Sequence, residues 1–169
     1  MDRYRTLRWI SYFSELIIFY IVQTTSGLLP EIMGERPILL ISTALTIAMF
    51  EGETAGIGIG MLAGLLIDFS AGGTLGFHAI LLVIICFFAG ILTMNLIRTN
   101  LFTALILAAV VIPLFYTLHW LFYYVIWGYG SEGYVFVSSI LPRMLYTFLT
   151  VPVVYYFNRA IGHRLRENG

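Results

Sequence analysis

The chain has 169 residues, of which 60% are hydrophobic and only 11% are charged, and its formal net charge is zero. Soluble domains average about 25% charged residues, so this composition excludes an ordinary soluble protein and indicates an integral membrane protein. The zero net charge gives no electrostatic reason to expect a nucleic-acid partner. The single cysteine, Cys86, lies within an apolar run and cannot form an intramolecular disulfide.

Six apolar segments follow one another with short polar breaks between them. They predict an all-α, polytopic integral membrane protein with six transmembrane helices in a single domain, residues 1–169. The first segment is long enough to span a bilayer, so we interpret it as an uncleaved helix rather than a signal peptide. The second segment is short for a span, which leaves a re-entrant element open. The predicted spans cover about residues 9–29, 37–50, 54–69, 75–96, 101–127 and 139–157.

The arginines are distributed unevenly between the two ends of these segments. With six spans, only Arg36 and Arg143 fall on one side of the membrane. The positive-inside rule therefore predicts that both termini of this multi-pass protein are cytoplasmic. Aromatic residues from Trp120 to Tyr134 mark the opposite, outer surface as an interfacial belt. The arginines on the predicted inner side are Arg3, Arg5, Arg8, Arg98, Arg159, Arg164 and Arg166.

The most regular pattern in the chain is a stripe of glycines in the third segment. Glycine recurs every four residues from Gly52 to Gly64, and Asp68 occupies the next step. Four residues overshoot one helical turn by only about 40°, so Gly60, Gly64 and Asp68 share one face of a helix. A groove without side chains lets another backbone approach closely. The stripe therefore favours either tight internal packing, with Asp68 capping the next segment, or a face that binds a partner or a ligand.

Ionisable residues within the apolar segments are costly, about 2.5–3.5 kcal/mol at the centre of a helix. Glu15 either reaches the inner surface, where it is solvated or neutralised, or pairs within a helix interface. Arg143 either anchors the outer surface or pairs with Asp68, which we expect at the same membrane level. His78 and His119 each stand alone on an apolar helix, so we expect hydrogen-bonded core histidines rather than metal ligands.

Nothing in the sequence predicts catalysis. There is no cluster with metal-ligand spacing, and no Ser/His/Asp arrangement has supporting local context. The pattern Gly56-x-Gly58-x-Gly60 is not a nucleotide-binding fingerprint, because it lies in an apolar span without a preceding strand. We therefore expect no catalytic residue, no metal and no cofactor. An intramembrane enzyme would need a nucleophile and a base facing each other in one cavity, and we identify no such pair.

Residues 56–76, GIGIGMLAGLLIDFSAGGTLG, resemble the rod shape-determining protein MreD family. The shared pattern is a glycine-rich helix ending G-x-x-x-G-L-L-x-D, then a turn of small residues, then L-G. The chain length, the basic tails and the near absence of loops also fit that family. The residues that carry the resemblance, as partner-binding or helix-packing positions, are Gly56, Gly60, Gly64, Asp68, Gly72 and Gly76.

The resemblance implies a function in the bacterial inner membrane. MreD is a component of the cell-elongation machinery that works with the bitopic protein MreC and the actin-like MreB, alongside the RodA glycosyltransferase and its transpeptidase. It has no known catalytic activity. By resemblance, this chain is a non-enzymatic scaffold that binds an MreC-like partner and helps regulate cell shape and lateral peptidoglycan synthesis. Glycine stripes also serve homodimers, so self-association stays open.

The family also looks structurally similar to the substrate-binding S components of energy-coupling-factor vitamin transporters, which implies an S-component-like bundle. A transporter subunit is therefore the alternative function. The short second and third segments and the aromatic outer end, residues 120–127, favour it. The first segment lacks the Ala-x-x-x-Ala coupling motif of S components, which counts against it.

Overall fold

The computed structural model describes residues 2–25, 27–31, 34–71, 75–97, 99–126 and 132–167. These residues form an all-α bundle. A π-helical turn, Leu121–Val125, extends α5, and a second one, Phe136–Ile140, joins α6 to α7, so that the described chain forms six helical rods. The α-helices are α1 Asp2–Thr24, α2 Leu39–Glu51, α3 Glu53–Ala71, α4 Phe77–Asn95, α5 Leu101–Trp120, α6 Glu132–Val135 and α7 Leu141–Glu167.

Four stretches of the described chain are long and apolar enough to cross a membrane. The prediction of an all-α membrane bundle is confirmed. The first helix begins earlier than the apolar segment, at Asp2, so its first two turns carry charged residues. The four stretches are Glu53–Ser70, Phe77–Asn95, Leu101–Val125 and Gly133–Gly162.

The short second helix forms the centre of the bundle. Every residue of α2 from Leu39 to Met49 is buried. Its 13 residues span about 20 Å at 1.5 Å per residue, which is less than the hydrocarbon thickness of about 30 Å. Because α2 is surrounded by other helices rather than by lipid, its length does not have to match the bilayer. Its hydroxyl groups are satisfied within the protein, as when Thr46 accepts a 2.9 Å hydrogen bond from Asn158 of α7.

The first and last helices pack side by side in opposite directions. Phe19 contacts Phe157 with ring centroids 6.0 Å apart, and Tyr12 lies beside Gly162. The start of α1 and the end of α7 therefore lie together, at what we call the terminal end of the bundle. The end of α1 and the start of α7 lie at the other end, which we call the cavity end.

Polar contacts at the terminal end attach α1 to the central helix. Glu51, the last residue of α2, accepts a 3.0 Å hydrogen bond from the hydroxyl of Tyr12. Its second carboxylate oxygen lies 3.1 Å from a guanidinium nitrogen of Arg8. Glu51 and Arg8 are largely buried, so this pair is shielded from water and holds α1 in register with α2.

Candidate functional site

The glycine stripe of α3 faces α4. A Cβ atom on Gly60 would lie 2.7 Å from the carbonyl oxygen of Leu82, and one on Gly56 would lie 2.7 Å from the carbonyl oxygen of Cys86. A Cβ atom on Gly64 would overlap the backbone of Ala79. The backbone of α4 thus fills the groove along these three glycines. Of the two interpretations that the sequence left open, the geometry here is that of internal packing.

The other glycines of the motif have different surroundings. Gly76 has φ = 98°, a left-handed conformation that favours glycine, and precedes α4. Gly72 lies outside the described residues. A further glycine, Gly90 of α4, extends the close contact, because a Cβ atom there would lie 2.5 Å from the backbone nitrogen of Glu53. The α3–α4 contact is therefore a two-sided glycine interface.

Asp68 caps the N-terminus of α4. Its carboxylate accepts hydrogen bonds from the backbone N–H groups of Gly76 at 2.8 Å, His78 at 3.1 Å and Ala79 at 3.4 Å. The first N–H groups of a helix have no partner within the helix, and a negative charge there is favoured by the helix dipole. The sequence-based interpretation of Asp68 as a cap of the next segment agrees with this geometry.

The two histidines of the apolar segments meet at the same place. Nδ1 of His78 lies 2.6 Å from Oδ1 of Asp68, and Nε2 of His78 lies 2.9 Å from Nδ1 of His119. Asp68, His78 and His119 thus form one hydrogen-bonded chain, which we call the Asp–His–His chain. The expectation that both histidines are hydrogen-bonded is confirmed. No group of three metal-ligating side chains that could hold a metal ion is found in the described parts of the chain.

Aromatic rings fix the orientation of both imidazoles. The ring of Tyr123, in the π-helical turn after α5, is nearly parallel to that of His78 and has its centroid 4.7 Å from that of His119. Phe115 lies on His78 with a centroid distance of 5.5 Å. The π-helical turn shifts the register of the helix and so brings Tyr123 onto the histidine pair.

Arg143 does not pair with Asp68, so that alternative is wrong. Its guanidinium group instead forms an ion pair with Glu35 in the segment between α1 and α2. Asp68 is already satisfied by backbone N–H groups and by His78, and therefore needs no arginine. A second ion pair within the same segment joins Arg36 to Glu31, with a nitrogen–oxygen distance of 2.5 Å.

These groups surround a cavity of about 620 Å³ at the cavity end. It lies among the ends of α1, α3 and α5 and the starts of α4 and α7. The lining combines apolar side chains with hydrogen-bonding and charged ones. The ionisable residues that line it are Glu31, Arg36, His78, His119 and Arg143, with the hydroxyls of Tyr20 and Tyr116 also on its wall.

Glu15 is buried in the bundle and not at a surface. It is 3% exposed, and neither carboxylate oxygen has a hydrogen-bond partner among the described residues. Asn158 of α7 lies beside it, and the amide oxygen of Asn158 also has no partner there. Glu15 therefore lies in a helix interface, as one sequence-based alternative proposed, but it forms no ion pair with another described residue.

The outward face of α1 carries an apolar groove of about 540 Å³, which we call the α1 groove. Large side chains form its walls, including Phe13, which is 49% exposed. The small residue Ser14 leaves space between them, and its hydroxyl bonds to the carbonyl oxygen of Ile10 in the preceding turn. The groove is lined by Thr6, Trp9, Ile10, Phe13, Ser14, Ile17 and Ile18.

Sequence reasoning missed the contact between the histidines and the role of Glu35. The sequence contained a signal for the contact between Asp68 and His78, because Asp68 precedes a glycine-rich segment and His78 is the second residue of the next helix. No local pattern relates His119 to His78, since the two residues come from different helices. Glu35 lies in a polar segment whose sequence does not mark it as the partner of Arg143.

Comparison with protein-family models identifies the same family that the glycine-rich motif resembles. The family model described as rod shape-determining protein MreD matches residues 3–160, which is nearly the whole chain. Searches of curated proteins and of solved structures returned no match. The family match covers α1 from residue 3 onward, α2 to α6 completely, and α7 as far as residue 160. This membrane protein belongs to the MreD family of rod shape-determining proteins.

Proposed function

We propose that this protein is a non-enzymatic membrane scaffold of the bacterial cell-elongation complex. Membership of the MreD family implies a role in determining rod shape. The finer proposal is that the chain binds an MreC-like bitopic protein, and through it MreB, RodA and the paired transpeptidase, in the inner membrane with both termini cytoplasmic. The arginine distribution supports this orientation.

The observation that carries the proposal is the α1 groove. Because α4 fills the glycine stripe, a partner helix has to bind elsewhere on the bundle. The α1 groove offers an open apolar strip that combines a small residue, Ser14, with the aromatic side chains of Trp9 and Phe13. Transmembrane helices associate through such close packing against small residues, since lipid tails supply no hydrophobic driving force between helices.

The α1 groove also lies where a partner can influence the bundle. Its walls belong to the helix whose other face carries Arg8 and Tyr12, and both of these residues bind Glu51 of the central helix. A partner helix in the groove would therefore contact α1 directly and reach α2 through one layer of side chains. We propose that the protein acts by such binding and not by catalysis, consistent with a family that is not a known enzyme family.

The experiment is co-purification with an MreC-like bitopic protein in mild detergent. Ser14→Phe fills the floor of the groove and Phe13→Ala removes part of its wall. The matched control is Phe88→Ala on α4, which removes the same side chain from another exposed surface, 63% exposed against 49% for Phe13. We expect wild type and the Phe88→Ala variant to retain the partner, and both groove variants to lose it while their melting temperatures stay close to wild type.

Two results would contradict the proposal. Full retention of the partner by both groove variants would exclude this face. Failure of wild type to associate with any MreC-like protein would contradict the scaffold role itself.

A further inference from the structure

The hydrogen bonds that Asp68 accepts determine which nitrogen donates and which accepts at each step of the Asp–His–His chain. Asp68 accepts three backbone N–H bonds, so its carboxylate acts as an acceptor, and Nδ1 of His78 must donate to it. With both imidazoles neutral, Nε2 of His78 then carries a lone pair and accepts the hydrogen on Nδ1 of His119. Nε2 of His119 is therefore a hydrogen-bond acceptor at the end of the chain, on a residue that lines the cavity.

Arg143 brings the complementary chemistry to the same cavity. One of its terminal nitrogens pairs with Glu35, whereas its Nε–H is buried and has no hydrogen-bond partner among the described residues. Guanidinium groups have five N–H donors and bind carboxylates through two of them, and the side chain of Arg143 is 39% exposed. The cavity is thus lined by a residue with a hydrogen-bond acceptor on α5 and by a partly exposed cationic residue on α7.

The charges around the cavity favour a ligand with both signs. The two arginines are balanced by Glu31 and Glu35, and Asp68 adds a negative charge behind the histidines. A cationic group beside His119 is therefore favoured by Asp68, and an anionic group can accept hydrogen bonds from Arg143, whose positive charge is shared with Glu35. A cavity of about 620 Å³ lies within the range of small-molecule sites.

We propose that this cavity binds a small amino-carboxylate. The carboxylate of the ligand accepts hydrogen bonds from the guanidinium group of Arg143, and its ammonium group donates to Nε2 of His119. Asp68 and His78 are positioning residues that hold His119 in the accepting tautomer, and the rings of Tyr123 and Phe115 hold the imidazoles in place. This site goes beyond the scaffold role and does not depend on it, because neither residue belongs to the α1 groove.

Calorimetric titration of the purified full chain in mild detergent tests the ligand class. The probes are glycine, both enantiomers of alanine and of glutamate, and two truncated analogues, propionate without the ammonium group and ethylamine without the carboxylate. We expect at least one amino acid to bind, and the truncated analogues to bind about tenfold more weakly or not at all, because each loses one charge-assisted hydrogen bond. Equal binding of propionate, or no binding of any amino acid in the set, overturns the proposal.

Variants test the site. Arg143→Gln and His119→Phe should each weaken binding by about tenfold or more. The matched control is Arg8→Gln at the terminal end, because Arg8 also pairs with a glutamate and also has a buried Nε without a partner among the described residues. Binding should be unchanged in this control. Unchanged binding in Arg143→Gln, or equal loss in Arg8→Gln, places the ligand elsewhere and overturns the proposal.

A measurement on the wild-type chain covers the case in which a variant does not fold. Nitrogen NMR of labelled histidines distinguishes protonated from unprotonated ring nitrogens. We expect Nδ1 of His119 to be protonated and Nε2 to be unprotonated in the free protein, and the Nε2 resonance to move when the amino acid is added. A protonated Nε2 in the free protein, or a resonance that does not respond to ligand, contradicts the proposed contact.

Discussion

Asp68 and His78 are ten residues apart in the sequence, and their side chains meet at 2.6 Å between Oδ1 and Nδ1. The same carboxylate receives the backbone N–H groups at the start of α4, so one side chain closes the α3–α4 hairpin at the cavity end. At its other end the hairpin is closed by Gly90 against the start of α3. The residues of the MreD motif therefore hold α3 and α4 in close contact.

Replacement of Asp68 tests that role. Asp68→Ala leaves three backbone N–H groups and the Nδ1–H of His78 without their acceptor. We expect the free energy of unfolding to fall by about 2–4 kcal/mol, more than a single helix cap because the site is buried. Thermal unfolding in detergent measures the change. Glu31→Ala in the more exposed ion pair with Arg36 is the control and should cost less than about 1 kcal/mol. Equal melting temperatures would remove the capping role.

Two glycines of α3 form a matched pair that tests the packing. A Cβ atom on Gly60 would lie 2.7 Å from a carbonyl oxygen of α4, whereas one on Gly58 would have no atom within 4 Å. Gly60→Ala should therefore separate the two helices and lower the melting temperature clearly. Gly58→Ala should leave it unchanged or raise it, because alanine favours a helix by about 1 kcal/mol over glycine. Equal effects of the two substitutions would mean that the glycine face is not in close contact with α4.

Glu15 provides a test of how a buried ionisable group affects stability. Its carboxylate is buried without a partner among the described residues, beside the equally unpartnered amide oxygen of Asn158. Glu15→Gln replaces the ionisable carboxyl group by an amide of nearly the same size, and the amide adds N–H donors. We expect the variant to be at least as stable as wild type, because an ionisable group buried within a membrane helix is costly. A lower melting temperature would show that the carboxylate itself stabilises the bundle.

Glu51 attaches α1 to α2, so we expect its replacement to lower the stability of the bundle. Glu51→Gln weakens the pair with Arg8 and the hydrogen bond from Tyr12, both in a largely buried position. We expect a loss of about 1–3 kcal/mol in thermal unfolding. Glu53→Gln is the control, because Glu53 is two residues away at the start of α3. A loss of the same size in both variants would point to the net charge of the region and not to these contacts.

The sequence by itself determined the class of protein and the most regular part of its packing. Composition and hydropathy predicted an all-α membrane protein, because a long apolar segment in a bilayer satisfies its backbone hydrogen bonds by forming a helix. The four-residue spacing of glycines predicted a smooth helix face, and the motif from Gly56 to Gly76 identified the family. These properties are local, so each can be read from neighbouring positions in the chain.

The tertiary structure decided what each local feature contacts. It placed α4 against the glycine stripe, buried α2 at the centre, and gave Arg143 the partner Glu35 in place of Asp68. It also joined His78 to His119, which are 41 residues apart on different helices. A helix face of small residues fits any close neighbour, and a polar side chain bonds to whichever group the fold brings near it. The choice among neighbours depends on how all six rods pack together, and no short stretch of sequence contains that information.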